Sequence, residues 1–145
     1  MRIVVDANII AAILIPLPYS AQVTRKMMEW QSADITLTAP TLLEYELMTT
    51  LRKATVAGII AVEEAVQAIE AFANLDIGMV APTLALHKVT LRWSERLQQS
   101  AAYDAHYLAL AEQLGATFWT ADRRLANGAK QAGAVWVYWI GEIGS

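Results

Sequence analysis

Cysteine is absent from this 145-residue chain. That excludes disulfides, thiol nucleophiles and zinc sites built on thiolates, and it fits a reducing, cytoplasmic setting. Histidine is scarce: His87 and His106 stand alone in the sequence and are read as packing or surface residues, not as an acid–base or metal pair. No glycine-rich turn follows the first apolar run, so a dinucleotide-binding loop is excluded. There is no excess of positive charge either; the net charge is −3 and the isoelectric point lies near 5.3. An acidic chain attracts nucleic acid poorly as a whole. However, two divalent ions held in an acidic centre would bring the charge to about +1, so global charge does not decide the matter. Long uninterrupted apolar runs are missing as well. The opening MRIVVDANII places Arg2 ahead of apolar residues, as a signal peptide does, but Asp6 and Asn8 interrupt the run and Pro16 and Pro18 close it. Neither export nor a membrane span is expected.

What the chain does contain is enough apolar material for one core. Hydrophobic residues make up 56% of it and the mean hydropathy is +0.34. A single domain over residues 1–145 is expected. The excess of apolar residues predicts that part of the surface is covered by another chain, a second copy above all.

Short apolar stretches alternate with helical ones. Ile3 to Val5 read as a buried strand, followed by a helix that Pro16 and Pro18 end. Ser20 reads as the N-cap of a helix to about Gln31. ITLTAP (35–40) reads as a strand, with Pro40 opening a long helix to about Val56. VEEAVQAIEAF is amphipathic, and Ile77 to Val80 form a strand that Pro82 ends. Helices over 83–98 and 103–114 follow, the second stopped by Gly115. ATFWT (116–120) is a strand, 122–132 a helix, and AVWVYWI a last strand. Strands alternating with helices predict an α/β fold, a parallel sheet of about five short strands with helices on both faces.

In such a sheet, ligands bind beyond the C-terminal strand ends, where the strand order reverses. Asp6 ends the first strand and Asp122 follows ATFWT, so the two converge if those strands are neighbours. A carboxylate in so apolar a place is costly unless it is paired, bound or protonated. At about 100° per residue, Asp104 shares the inward stripe of Tyr107, Leu108 and Ala111, whereas His106 and Glu112 point elsewhere. In TLLEYELMTTLRKA both Glu44 and Glu46 are candidates, and periodicity does not choose between them.

VVDANII, APTLLEYELMTTLRKATVAG and AAYDAHYLALAEQLGATFWTADRRLA, in that order over most of the chain, resemble the PIN-domain family and above all the VapC-type toxins of toxin–antitoxin pairs. The resemblance implies a PIN-like fold and a metal-dependent endoribonuclease. Aligning AP-x-LL with the family pattern places the helical glutamate on Glu46. The implied acids are then Asp6, Glu46, Asp104 and Asp122, with Asn8 and Thr120 as polar neighbours; Thr49 stands where many relatives have asparagine. All-oxygen donors suit one or two Mg²⁺ or Mn²⁺ ions, and two ions roughly 3.5–4 Å apart would activate water and hold the scissile phosphate. Asp6, starting from a rigid strand end, is the expected central ligand. The implied partners are RNA, a small antitoxin protein and a second copy of the chain.

Competing readings attach to the same residues. Asp122 or Thr120 could simply cap a helix, and Asp104 could sit in a first turn for dipole reasons. Arg123 and Arg124 could contact phosphates, or be surface charges, and Arg52 and Lys53 likewise. The tryptophans are read as core or interface. A phosphatase with an aspartyl nucleophile would place a second acid two residues on, where Asn8 stands. The main rival is a PIN-like scaffold that binds RNA or protein without cutting.

Overall fold

The computed structural model describes residues 1–99 and 102–142. Five strands, β1 (Arg2–Val5), β2 (Thr36–Pro40), β3 (Ile77–Val80), β4 (Thr117–Thr120) and β5 (Val137–Trp139), form one sheet in the order β3-β2-β1-β4-β5. Every pairing is parallel. The chain therefore builds outward from β1 to one side, then returns to build on its other side, and the order reverses between β1 and β4.

Between the strands run α1 (Ala7–Leu14), α2 (Ser20–Ser32), α3 (Leu42–Val56), α4 (Val62–Ala73), α5 (Leu84–Arg96), α6 (Tyr103–Leu114) and α7 (Arg123–Gln131). Successive residues of a strand face opposite sides of the sheet, and β4 shows what covers each. Phe118 stacks on Tyr107 of α6, whereas Trp119 meets Trp30 of α2 edge-on. Helices thus cover both faces, and the central strands are buried on both: Val4, Val5 and Phe118 have no exposed surface. This explains why Ile3–Val5 of β1 reads as a continuous apolar run and not as an alternating one.

The helix ends follow local chemistry. Thr83 caps α5 through the Leu86 N–H at 3.1 Å, and Gly115 ends α6 in the left-handed conformation, φ 60°, where a side chain would be strained. Three expectations need correction. Ser20 is the first residue of α2, not its cap: its hydroxyl accepts from the Leu17 N–H and donates to the Ile15 carbonyl, tying down the proline-containing turn instead. Pro40 closes β2, where it pairs with Val80, and does not open α3, which starts at Leu42. The last strand is only Val137–Trp139, because 134–136 complete the turn after α7 and Ile140–Glu142 coil into a 3₁₀ turn.

Candidate active site

Because all five strands are parallel, their C-terminal ends lie at one edge, and β1 carries Asp6 there. Its N–H continues the ladder, donating to the Trp119 carbonyl at 3.0 Å. Asp6 as a whole is only 7% exposed. One carboxylate oxygen accepts the Ala7 N–H at 2.8 Å, so Asp6 caps α1, and the other accepts the Thr120 hydroxyl at 2.7 Å and the Asn8 amide at 3.4 Å. Burial pushes the Asp6 carboxyl up to about 7; the Thr120 hydrogen bond opposes this, and the charges of Glu46 and Asp104 reinforce it. Desolvation wins over the hydrogen bonds.

Thr120 is fully buried and organises the edge. Besides donating to Asp6, its hydroxyl accepts from the Asn8 amide at 3.3 Å and from the Asp122 N–H at 3.0 Å. The Asn8 carbonyl in turn accepts the Ala121 N–H at 3.0 Å. These bonds lace the β1–α1 corner to the β4–α7 corner, at the point where the strand order reverses. Asn8 and Thr120 therefore both stand beside Asp6.

Of the other three acids, Glu46 and Asp104 arrive on helices and Asp122 at the turn between β4 and α7. Asp122 caps α7 through the Leu125 N–H at 3.2 Å and is exposed. The capping expectation and proximity to the acidic centre hold together, since its charge helps to raise Asp104. Asp104, in the first turn of α6, is half-buried and accepts the Gln99 amide at 3.2 Å. Burial raises its carboxyl first, against the Gln99 bond. Glu46 on α3 is half-buried and accepts the Tyr107 hydroxyl at 2.5 Å; burial raises it, with Asp104 adding to the effect. Glu44 is exposed on another side of α3. Tertiary packing thus separates two glutamates that periodicity leaves equal.

Four carboxylates that sense one another would normally attract a lysine or arginine. Among the described residues the ion pairs are Lys26–Glu29 and Lys130–Glu142, and neither involves these acids. Arg123 and Arg124 part company: the Arg123 guanidinium lies over the Trp139 ring at 4.9 Å, whereas Arg124 lines a cavity with Asp104 and Asp122. Lys53 and Thr49 line a separate hollow with Glu46. Among the described residues no three acid or histidine side chains already meet around one point. Glu46 and Asp104 are instead engaged by Tyr107 and Gln99.

Three residues of the site are not apparent from the sequence. Tyr107 reads there only as a core member of the Asp104 stripe, yet its buried hydroxyl, pushed far up by burial and by Asp6 and Glu46, stays a neutral donor to Glu46. A polar-tipped aromatic one turn after an inward acid is the available signal. Gln99 and Tyr19 carry none. Burial, then Asp6 and Asp122, raise the Tyr19 phenol, which stands half-buried at the start of α2. His87 and His106 prove not to be isolated: their rings meet edge-on at 6.3 Å, because α5 and α6 pack together, and burial followed by His87 lowers His106.

A model of the PIN domain matches residues 3–131. No curated protein matches the sequence. Several solved structures share the fold. FitAcB from Neisseria gonorrhoeae is 18% identical, with 99% of this chain and 100% of that one covered and a TM-score of 0.68. The sarcin–ricin loop cleaving toxin VapC20 of Mycobacterium tuberculosis is also 18% identical, with 93% and 98% covered and a TM-score of 0.66. VapBC2 from Rickettsia felis, bound to a DNA fragment from its promoter, is 12% identical, with 95% and 98% covered and a TM-score of 0.70. At such identities the structural likeness speaks for the fold, and the match over most of the sequence carries the assignment: the chain belongs to the PIN domain family.

Proposed function

We propose that the protein is a Mg²⁺- or Mn²⁺-dependent endoribonuclease that hydrolyses RNA phosphodiesters, and that it serves as the toxin of a VapBC-type toxin–antitoxin pair. PIN domains are generally nucleases. The observation that carries the reading here is the buried Asp6 at the sheet's switch point, raised by burial and by Glu46 and Asp104, with no cation among the described residues paired to any of the four acids. An excess of carboxylate with only oxygen donors fits hard divalent ions.

Asp6, Glu46, Asp104 and Asp122 would hold one or two ions. When bound, such ions supply an activated water and charge neutralisation at the phosphate. The chain's own part is preorganisation. Thr120 and the Ala7 N–H fix Asp6, while Asn8 and the Thr120 bonds hold the two corners in register. Tyr107 and Gln99 orient Glu46 and Asp104 in the ion-free protein. Arg124, which shares a cavity with Asp104 and Asp122, would contact a phosphate there, and Arg123, braced on Trp139, would contact one alongside.

The partner readings rest on the relatives and on the surface. A toxin–antitoxin complex from Klebsiella pneumoniae shares the fold, and exposed Tyr45, Val56, Val62 and Val66 on α3 and α4 leave apolar surface that an antitoxin or a second copy would cover. No described helix is long and apolar enough to cross a membrane; the proposed setting is the cytoplasm, where the RNA substrate lies. The reading takes the whole chain as one PIN domain, since β5, beyond the matched span, completes the sheet.

Cleavage of total RNA by the purified protein and by Asp6→Asn, with Mg²⁺, Mn²⁺ or chelator, tests the enzyme. Metal-dependent cutting lost in the variant is expected. RNA binding without cutting, indifferent to metal and to the substitution, would support the scaffold instead. Co-expression with the adjacent reading frame tests the toxin: a partner that neither co-purifies nor relieves toxicity removes that part.

A further inference from the structure

Two residues that break local conformational rules line one cavity. Gln98 follows the last turn of α5 at φ 55°, the left-handed position at a helix end where glycine is strongly favoured. Its N–H reaches the Glu95 carbonyl and the Gln99 N–H reaches the Ser94 carbonyl, so the helix stop is well formed despite the wrong residue. Gly128 does the reverse. It sits inside α7, where glycine weakens a helix, yet among the described residues a Cβ built there meets nothing within 4 Å. No described neighbour requires the side chain to be missing. Local rules tend to be broken at functional sites.

The cavity between them measures about 430 Å³ and opens onto Asp104 and Asp122, within the range of small-ligand sites. Its other walls are Leu97, Leu125, Gln99 and Arg124. The two leucines offer apolar contact for a flat ring, and the two glutamines offer both donors and acceptors for its edge. Gln99 commits its amide N–H to Asp104, and its buried Oε1 has no partner among the described residues. Arg124 adds a positive group for a neighbouring phosphate.

We propose that this cavity receives the base of a nucleotide next to the scissile phosphate, with Gln98 and Gln99 reading its hydrogen-bonding edge and Gly128 leaving it room. Single-stranded RNA is read in this way, by splayed bases held on their faces and edges. The inference rests on the nuclease reading above and assigns its selectivity. Asp104 and Asp122 belong to the acidic centre; Gly128, Gln98 and Leu97 belong to the base.

The test uses a short randomised oligoribonucleotide pool, cut in Mn²⁺ and sequenced at the product ends. The wild-type protein should show a base preference at one position beside the cut. Gly128→Leu, which fills the cavity and favours the helix, should raise KM by about tenfold or more and flatten that preference. The rise in melting temperature caused by Mn²⁺ should persist. Gly128→Ala should act in the same direction, more weakly, and guards against misfolding of the larger substitution. Gln98→Gly, which relieves the left-handed position, should keep the fold and lose the preference. Arg124→Ala should weaken RNA binding without regard to sequence and lower its salt dependence.

Unchanged KM and preference in Gly128→Leu would overturn the proposal. So would a loss of cleavage accompanied by a loss of the Mn²⁺-induced stabilisation, because the effect would then run through the acids. Intact cleavage with loss of a co-expressed protein partner would assign the cavity to that partner and overturn it too. If the wild-type protein does not cut, the nuclease reading fails by itself. Binding of the same pool in chelator then decides the cavity: weaker binding by Gly128→Leu supports it, equal binding ends it.

Discussion

Two cavities at opposite ends of this molecule are each lined by a pair of aspartates, and only one pair belongs to an acidic centre. At the N-terminal end of the strands, Asp34 and Asp76 border a cavity of about 320 Å³ beside Met27, Trp30 and Thr36. Both are exposed, and both stand just before strands β2 and β3 start; Asp34 occupies a left-handed turn at φ 54°. That is turn chemistry, with the charges left in water. At the C-terminal end, Asp104 and Asp122 border the other cavity, but there Asp6 is buried behind them and Glu46 stands nearby. The sheet explains the difference. Parallel strands bring the N-termini of α1 and α7 to this edge, where partial positive charge favours carboxylates, and helices on both faces exclude water from Asp6. Counting acids around a hollow therefore says little. Desolvation and mutual repulsion, with no compensating cation among the described residues, mark the site.

The sharpest test of that contrast is functional. Asp6→Asn should lower RNA cleavage on the order of 10²–10³-fold, the scale on which removing one preorganised electrostatic stabiliser of a transition state acts. Asp34→Asn and Asp76→Asn should leave cleavage unchanged in the same assay.

The pH dependence of stability comes next. The folded Asp6 holds its proton up to about pH 7, whereas the unfolded chain releases it near 3.8. Between those values the unfolded state binds fewer protons, so stability falls as pH rises. The loss reaches on the order of 4 kcal/mol if the whole shift is expressed, and stability levels off above pH 7. Urea unfolding on both sides of that window, in chelator, should show the slope in the wild-type protein and a flatter one in Asp6→Asn. A flat wild-type profile would contradict the burial argument.

Mn²⁺ or Mg²⁺ should stabilise the protein above pH 7, by about 2.7 kcal/mol at a concentration a hundred times Kd. Thermal melts with and without chelator measure it. Asp6→Asn should shrink the effect and Asp34→Asn should not. Tyr107→Phe keeps the stack on Phe118 but removes the donor to Glu46, at a cost of about 1.5 kcal/mol. Glu46→Gln should abolish most of the difference between tyrosine and phenylalanine in a double-mutant cycle read by unfolding. Smallest of all, Asp76→Ala should leave the melting temperature where it was, since an exposed turn acid makes no buried contacts.

Much of this contrast is legible in the amino-acid sequence. The alternation of strands and helices points to a parallel sheet, and Asp6 stands out because an acid interrupts an apolar run. Asp104 stands out by its phase on the α6 stripe. The features that stay hidden are local in sequence but decided by neighbours. Ser20 has the chemistry of a cap, yet the turn through Pro16 and Pro18 brings the Leu17 N–H and the Ile15 carbonyl to its hydroxyl first. Pro40 suits either a strand end or a helix start, and the pairing with Val80 chooses the strand. His87 and His106 lie 6.3 Å apart only because α5 packs on α6. Arg123 and Arg124 are adjacent in the chain yet face Trp139 and the cavity, respectively, because neighbouring residues on a helix point about 100° apart.

Composition and periodicity alone specify the class of fold and the donors on offer: oxygen ligands, no thiols, and acids at a strand end and on an inward helical stripe. Hydrophobic periodicity carries that information because it reflects which side of each element must leave water. It does not specify that β1 and β4 are neighbours, that Glu46 and not Glu44 turns inward to Tyr107, or that Gln98 and Gly128 meet across one cavity. Those facts depend on strand order and on helix packing between segments remote in the chain, and no local propensity encodes which remote surfaces will be pressed together.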